Sequence, residues 1–161
     1  MNSDNIADVV SKVMAELSPK MTLDIAKAVS LCVEKKAQEI GVNAVICVSD
    51  DGARPVLVHS MDDAYIASFD IAVKKAYTVV SLKMPTEKLK KLAQPGESLY
   101  GIQFTNEGQI VIFGGGDPLV INGKIIGGLG VSGGTEEQDT CLSSYGASVF
   151  EEIIKKSGKD I

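Results

Sequence analysis

The sequence predicts an α+β domain in which helices pack against an antiparallel sheet. Two hairpin-like units, residues 43–60 and 110–132, flank a long helical stretch, with none of the regular strand–helix–strand alternation that builds parallel sheets. With 161 residues, 45% of them hydrophobic and 23% charged, the chain is long enough for one domain with its own core.

The elements follow in order. Ile6, Val9, Val10, Val13, Met14 and Leu17 recur at helical spacing, with Asp8, Ser11, Lys12 and Glu16 opposite, so residues 6–17 read as a short amphipathic helix. Ser18-Pro19 ends it, because the residue before a proline is pushed out of the α region. The chain thus divides into a helix with its linker, residues 1–20, and a domain, residues 21–161. Thr22 caps a second helix whose face carries Ile25, Val29, Cys32, Val33, Ala37 and Ile40, and Gly41 terminates it.

Asn43 to Ser49 and Pro55 to Ser60 form the first hairpin around Asp50-Asp51-Gly52. Helices are predicted from about Tyr65 to Ser81 and from about Thr86 to Leu92, and Pro95-Gly96 opens a loop. Ile110 to Phe113 is an apolar strand running into Gly114-Gly115-Gly116. Asn122-Gly123 joins Leu119-Val120-Ile121 to Lys124-Ile125-Ile126, a hairpin turn that needs positive φ at both positions. Ser132-Gly133-Gly134 leaves the last strand, and Thr135 with Gln138 forms a capping box for the final helix.

Charge and cysteine content narrow the partners. A net charge of −5 argues against nucleic acid or an anionic membrane as the main partner. Lys83, Lys88, Lys90 and Lys91 are the densest basic run and read as a solvated helix face. Cys32, Cys47 and Cys141 are odd in number and show no C-x-x-C spacing, which suggests neither a disulfide framework nor a zinc site and fits a reducing cytoplasm. No apolar run approaches the roughly 18 residues of a membrane span, and no export signal is expected.

The triple glycine with its following Asp117-Pro118, and the run Gly130-Val131-Ser132-Gly133-Gly134-Thr135 continuing to Gln138-Asp139, resemble the GlcG/HbpS-like family. Met61-Asp62-Asp63-Ala64, the segment from Asp70 to Lys75-Ala76-Tyr77-Thr78, and Pro95-Gly96 with Leu99-Tyr100-Gly101 agree with that family in order, so the resemblance covers about residues 21–155. The family takes in a glycolate-operon accessory protein, an extracellular haem-binding sensor partner, and the C-terminal domain of the propanediol-utilisation corrinoid adenosyltransferase. The resemblance implies a profilin-like fold with a five-stranded antiparallel sheet, haem or a corrinoid as cofactor, and a symmetric homo-oligomer, a dimer or an octamer. Residues 3–17 also resemble the encapsulation peptides of bacterial microcompartments. That implies a shell or cargo protein as partner and the cytoplasm or a microcompartment lumen as location; packing of this helix on its own domain or on a neighbouring subunit is the alternative.

His59 is the only histidine. Strand alternation puts it on one face with Leu57 and Met61, where His59 is a candidate axial ligand to a haem iron; a histidine satisfied by a backbone carbonyl is the plainer reading. Asp62 and Asp63 fit a turn or a helix N-terminus, and adjacent side chains point apart too much for a metal pair. Asp70 and Lys74 stand at the spacing of a helix-supporting ion pair. By the resemblance, Lys75 meets a ligand carboxylate, and the binding pocket is lined by Met61, Asp62, Lys75, Thr78, Gly114, Gly115, Gly116, Gly133, Gly134 and Thr135. The triple glycine lacks a Walker ending; it permits close approach of a flat ligand or a neighbouring subunit, or simply a tight turn. Gly133-Gly134-Thr135 resembles an anion cradle, but Glu136 and Glu137 already answer the helix dipole there.

No Ser-His-Asp, Cys-His or paired-carboxylate set can be assembled. Three functions stay open: an accessory domain binding haem or a corrinoid, an enzyme of a microcompartment or of a glycolate or diol pathway using Lys75 or Asp139 as acid or base, and an assembly protein whose function is oligomerisation.

Overall fold

A computed structural model describes residues 19–157 of the chain; the amphipathic segment expected at 6–17 lies outside them. The described elements are helix α1 (Leu23–Glu39), strands β1 (Val45–Asp50) and β2 (Pro55–Ser60), helices α2 (Ile66–Leu82) and α3 (Thr86–Leu92), two 3-10 turns (Ile102–Phe104 and Asn106–Gly108), strands β3 (Gly116–Ile121) and β4 (Lys124–Ser132), and helix α4 (Glu136–Ser157). The strands form one antiparallel sheet in the order β2-β1-β4-β3. Both hairpins close as their sequences require. Asp50 Oδ1 accepts the N–H groups of Gly52 and Arg54, and Asn122 and Gly123 take φ values of 50° and 78°.

Alternation along β1 sorts the layers. Ile46 and Val48 join Val29 and Val33 of α1 and Leu142 and Phe150 of α4 in the main core, whereas Val45 and Cys47 meet Ala72 and Ala76 of α2. The same parity on β4 sends Leu129 and Val131 into the main core and leaves Gly128 and Gly130 under α2. A Cβ at either glycine would run into a backbone carbonyl of α2, that of Ala76 or Ala72. Helix α2 therefore lies directly on the bare backbone of β4, close enough for a side chain on α2 to reach the loops beyond the strand.

One expected strand is not part of the sheet. Ile110 to Phe113 pairs with no strand among the described residues, so the sheet has four strands rather than the five expected. Its backbone is satisfied by other means: the Val111 N–H donates to the Thr78 side chain at 3.0 Å, and only at Gly115 does a carbonyl accept from β4, from Val131 N–H at 2.8 Å. Among the described residues no helix is long and apolar enough to cross a membrane.

Candidate functional site

Helix α2 carries Lys75 on the face turned to the sheet. Its side chain is fully removed from solvent, and Nζ donates to the Val131 carbonyl at 2.7 Å and to Asp139 Oδ2 at 2.8 Å. Asp139, in the first turns of α4, is held from its other side: Oδ1 accepts the Gly134 N–H at 2.9 Å. The Phe113 ring lies over the ammonium, 4.9 Å from Nζ to the ring centre. Burial pushes the Lys75 pKa below its ordinary value, and Asp139 opposes that shift. Glu136 extends the network outward, accepting the Gly114 N–H at 2.8 Å and the Lys90 ammonium at 2.6 Å; Lys90 first, then Gly114, hold its carboxyl below the usual range.

A cavity of about 280 Å³ opens against this network, lined by Tyr65, Ser68, Ile71, Phe113, Ser132 and Asp139 among others. The Ser132 hydroxyl donates to that of Ser68 at 3.1 Å on its wall. A hollow of about 510 Å³ between α3 and α4, lined by Glu87, Lys90, Cys141 and their neighbours, contains none of the expected site residues.

His59, Met61 and Asp62 gather elsewhere, at the β2 edge of the sheet. They share a polar hollow of about 350 Å³ with Glu34, Gln38 and Asn43. His59 Nδ1 is 3.3 Å from Glu34 Oε2, a buried oxygen with no hydrogen-bond partner. On its other side His59 borders an apolar hollow of about 280 Å³ with Lys27, Leu31, Leu57 and Val58. The Met61 sulfur accepts the Ala44 N–H at 3.3 Å, and Asp62 and Asp63 form the turn that leads to α2.

The remaining expected residues divide between these places. Thr78 is buried; its hydroxyl donates to the Lys74 carbonyl at 2.7 Å while accepting from Val111. Gly114, Gly115 and Gly116 lie against side chains of this same chain: added Cβ atoms would press on Thr140, on Lys75 and Asp139, and on Thr86 and Val79. Gly133, Gly134 and Thr135 border a hollow of about 470 Å³ with Asn43, Asp63 and Tyr65. The N–H groups of Gly134 and Thr135 are already given to Asp139 and Gln138. Asp70 and Lys74 pair at 2.9 Å. Sequence reasoning did not find Glu34, Phe113, Ser68 or Glu136, since no local pattern marks which residues the packing brings beside His59 and Lys75. Among the described residues no group of His, Cys, Asp and Glu is arranged to hold a metal ion.

The fold and its edge-of-sheet clefts define an antiparallel α+β domain built on two hairpins, with helices on both faces. The chain belongs to the HbpS-like family: the family described as haem degrading protein HbpS-like matches residues 21–148. It is 48% identical over 133 residues to the 15.0 kDa protein of the dhaT–dhaS intergenic region of Citrobacter freundii, covering 83% of this chain and 94% of that one. It is 41% identical over 105 residues to the corrinoid adenosyltransferase PduO of Salmonella typhimurium, covering 65% of this chain but only 31% of PduO. Among solved structures, Klebsiella pneumoniae protein ORFY superposes with a TM-score of 0.80 at 44% identity, covering 83% of this chain and 93% of that one. A PduOC–haem complex superposes with a TM-score of 0.78 at 33% identity, covering 81% and 94%.

Proposed function

We propose that this chain is a tetrapyrrole-binding accessory protein of a bacterial metabolic pathway, with haem as the first ligand and a corrinoid as the second. The observation that carries the proposal is the setting of His59. Its Nδ1 stands 3.3 Å from Glu34 Oε2, a buried oxygen without a hydrogen-bond partner; a proton carried on Nδ1 would serve that oxygen and leave Nε2 as the electron-pair donor. The residues around it fit a haem: Leu31, Leu57 and Val58 offer apolar surface to a macrocycle, and Lys27 offers a cation to a propionate. When bound, haem supplies a redox-active iron whose behaviour its axial ligand sets. The similarity to PduOC, which has been crystallised with haem, supports the reading.

Haemin titrated into the purified protein should give a saturable Soret shift, and His59→Ala should change the spectrum rather than merely weaken binding. Hydroxocobalamin, titrated in parallel, tests the corrinoid. Featureless titrations with both would reject the proposal.

The proposal extends to partners. The chain self-associates, as a dimer or an octamer, and residues 3–17 dock on a shell or cargo protein of a microcompartment, with the cytoplasm or that lumen as its location. Tyr65, Ile66 and Phe69, exposed together at the start of α2, support self-association. A fluorescent protein fused behind residues 1–20 should gather in microcompartments, and Val10→Asp with Val13→Asp should disperse it; diffuse fluorescence from the unmutated fusion would rule targeting out.

A further inference from the structure

We propose that Lys75 is the nucleophile of a second site, on the opposite side of the sheet from the His59 edge, which captures a short, uncharged aldehyde as a Schiff base. The inference is independent of the tetrapyrrole reading. It begins from three observations that coincide at one place. Lys75 is a wholly buried amine, Asp139 Oδ2 is held 2.8 Å from it by the Gly134 N–H on its other oxygen, and a cavity ends at Asp139 and at the ring that covers Nζ. A lysine taken out of water becomes a nucleophile when a neighbouring base can take its proton.

The geometry assigns each step. Asp139 accepts a proton from Nζ, and the freed electron pair attacks the carbonyl carbon. A C–N bond forms as the C=O π pair moves to oxygen, which takes the proton Asp139 had accepted, while the Ser132–Ser68 hydroxyls on the cavity wall can hydrogen-bond that oxygen. Asp139, again a carboxylate, takes a second proton from nitrogen and passes it to the hydroxyl; the C–O bond breaks as water leaves and the nitrogen electron pair forms C=N, giving a protonated imine beside the Asp139 carboxylate. One water is released, and no oxidant or reductant is consumed.

The cavity also selects its occupant. At about 280 Å³ it lies at or below the small end of ligand pockets and suits a chain of a few carbons. Glu136 and Asp139 on its wall disfavour an anionic carbonyl compound, while Phe113 and Ile71 favour an aliphatic tail. Phe113 both lines the cavity and covers Nζ, and it sits in a segment that belongs to no strand or helix, so its ring is the part to turn aside.

Butanal with sodium cyanoborohydride at neutral pH provides the test, because hydride reduction of the imine leaves a stable butyl group that peptide mapping locates. Labelling of Lys75 should be severalfold faster than that of exposed Lys83 and Lys88, glyoxylate should label it poorly, and Phe113→Ala should speed the reaction with butanal. Lys75→Arg should abolish only the fast phase. Labelling of Lys75 no faster than of Lys83 and Lys88, or a rate indifferent to Phe113→Ala, would overturn the proposal.

Discussion

Gly130 of β4 lies directly beneath the Ala72 carbonyl of α2, so that a methyl group at position 130 would overlap the oxygen. Both partners are backbone of packed elements and neither can swing away. Gly130→Ala should therefore cost at least the roughly 1–3 kcal/mol typical of overpacking, read from the midpoint of urea unfolding. A cost near zero would mean that α2 stands further from the sheet than described.

The Lys75–Asp139 pair makes a different prediction, since removing one partner leaves the other charge buried and alone. Lys75→Met should destabilise the domain by about 3–5 kcal/mol, and the double variant Lys75→Met with Asp139→Leu should recover most of that loss. Equal stability of the single and double variants would contradict the burial of Asp139.

Two carboxyls should give opposite pH slopes. Glu136 is held below its ordinary value by Lys90 and the Gly114 N–H, so its contribution is present above about pH 4.5 and lost as pH falls through the folded value. Asp117 is raised by burial, against the Ser143 and Ser144 hydroxyls that donate to it, so its contribution is present at low pH and lost as pH rises through the folded value. Thermal melts across acid pH should show Glu136→Gln flattening the acid loss of stability and Asp117→Asn steepening it. The reverse pattern would refute both assignments.

Thiol reactivity separates the cysteines. Burial pushes the Cys47 thiol up to about 12, whereas Cys141 lies exposed on α4. Iodoacetamide on the native protein should modify Cys141 within minutes and reach Cys47 only after denaturant is added. Comparable native rates would show that the layer between α2 and the sheet is open.

Much of this fold was legible because its signals are local. Thr22 caps α1 through the Ile25 N–H, Asn122-Gly123 turns the second hairpin, and Thr135 and Gln138 exchange both bonds of the capping box at the start of α4. The apolar run Ile110–Phe113 read as a strand because burial, not pairing, is what an apolar run reports. Val111 finds its acceptor on Thr78, a helix residue thirty-three positions away. The same distance hides the sites: Lys75 and Asp139 were each visible as candidates, but nothing in their neighbourhoods shows that they are partners 64 residues apart, or that Glu34 stands beside His59.

The central seam of the sheet, β1 against β4, bears on how the chain reaches this structure. Ser49 bonds Gly128 across a separation of 79 residues, so the first hairpin can form early but keeps one edge bare until β4 has been synthesised. Closing that seam, like packing α1 against α4, costs the entropy of a long loop, a term that slows folding. Until then β1 offers Val45, Ile46, Cys47 and Val48 along an unpaired edge, the segment through which a nascent chain would aggregate and a chaperone would find it.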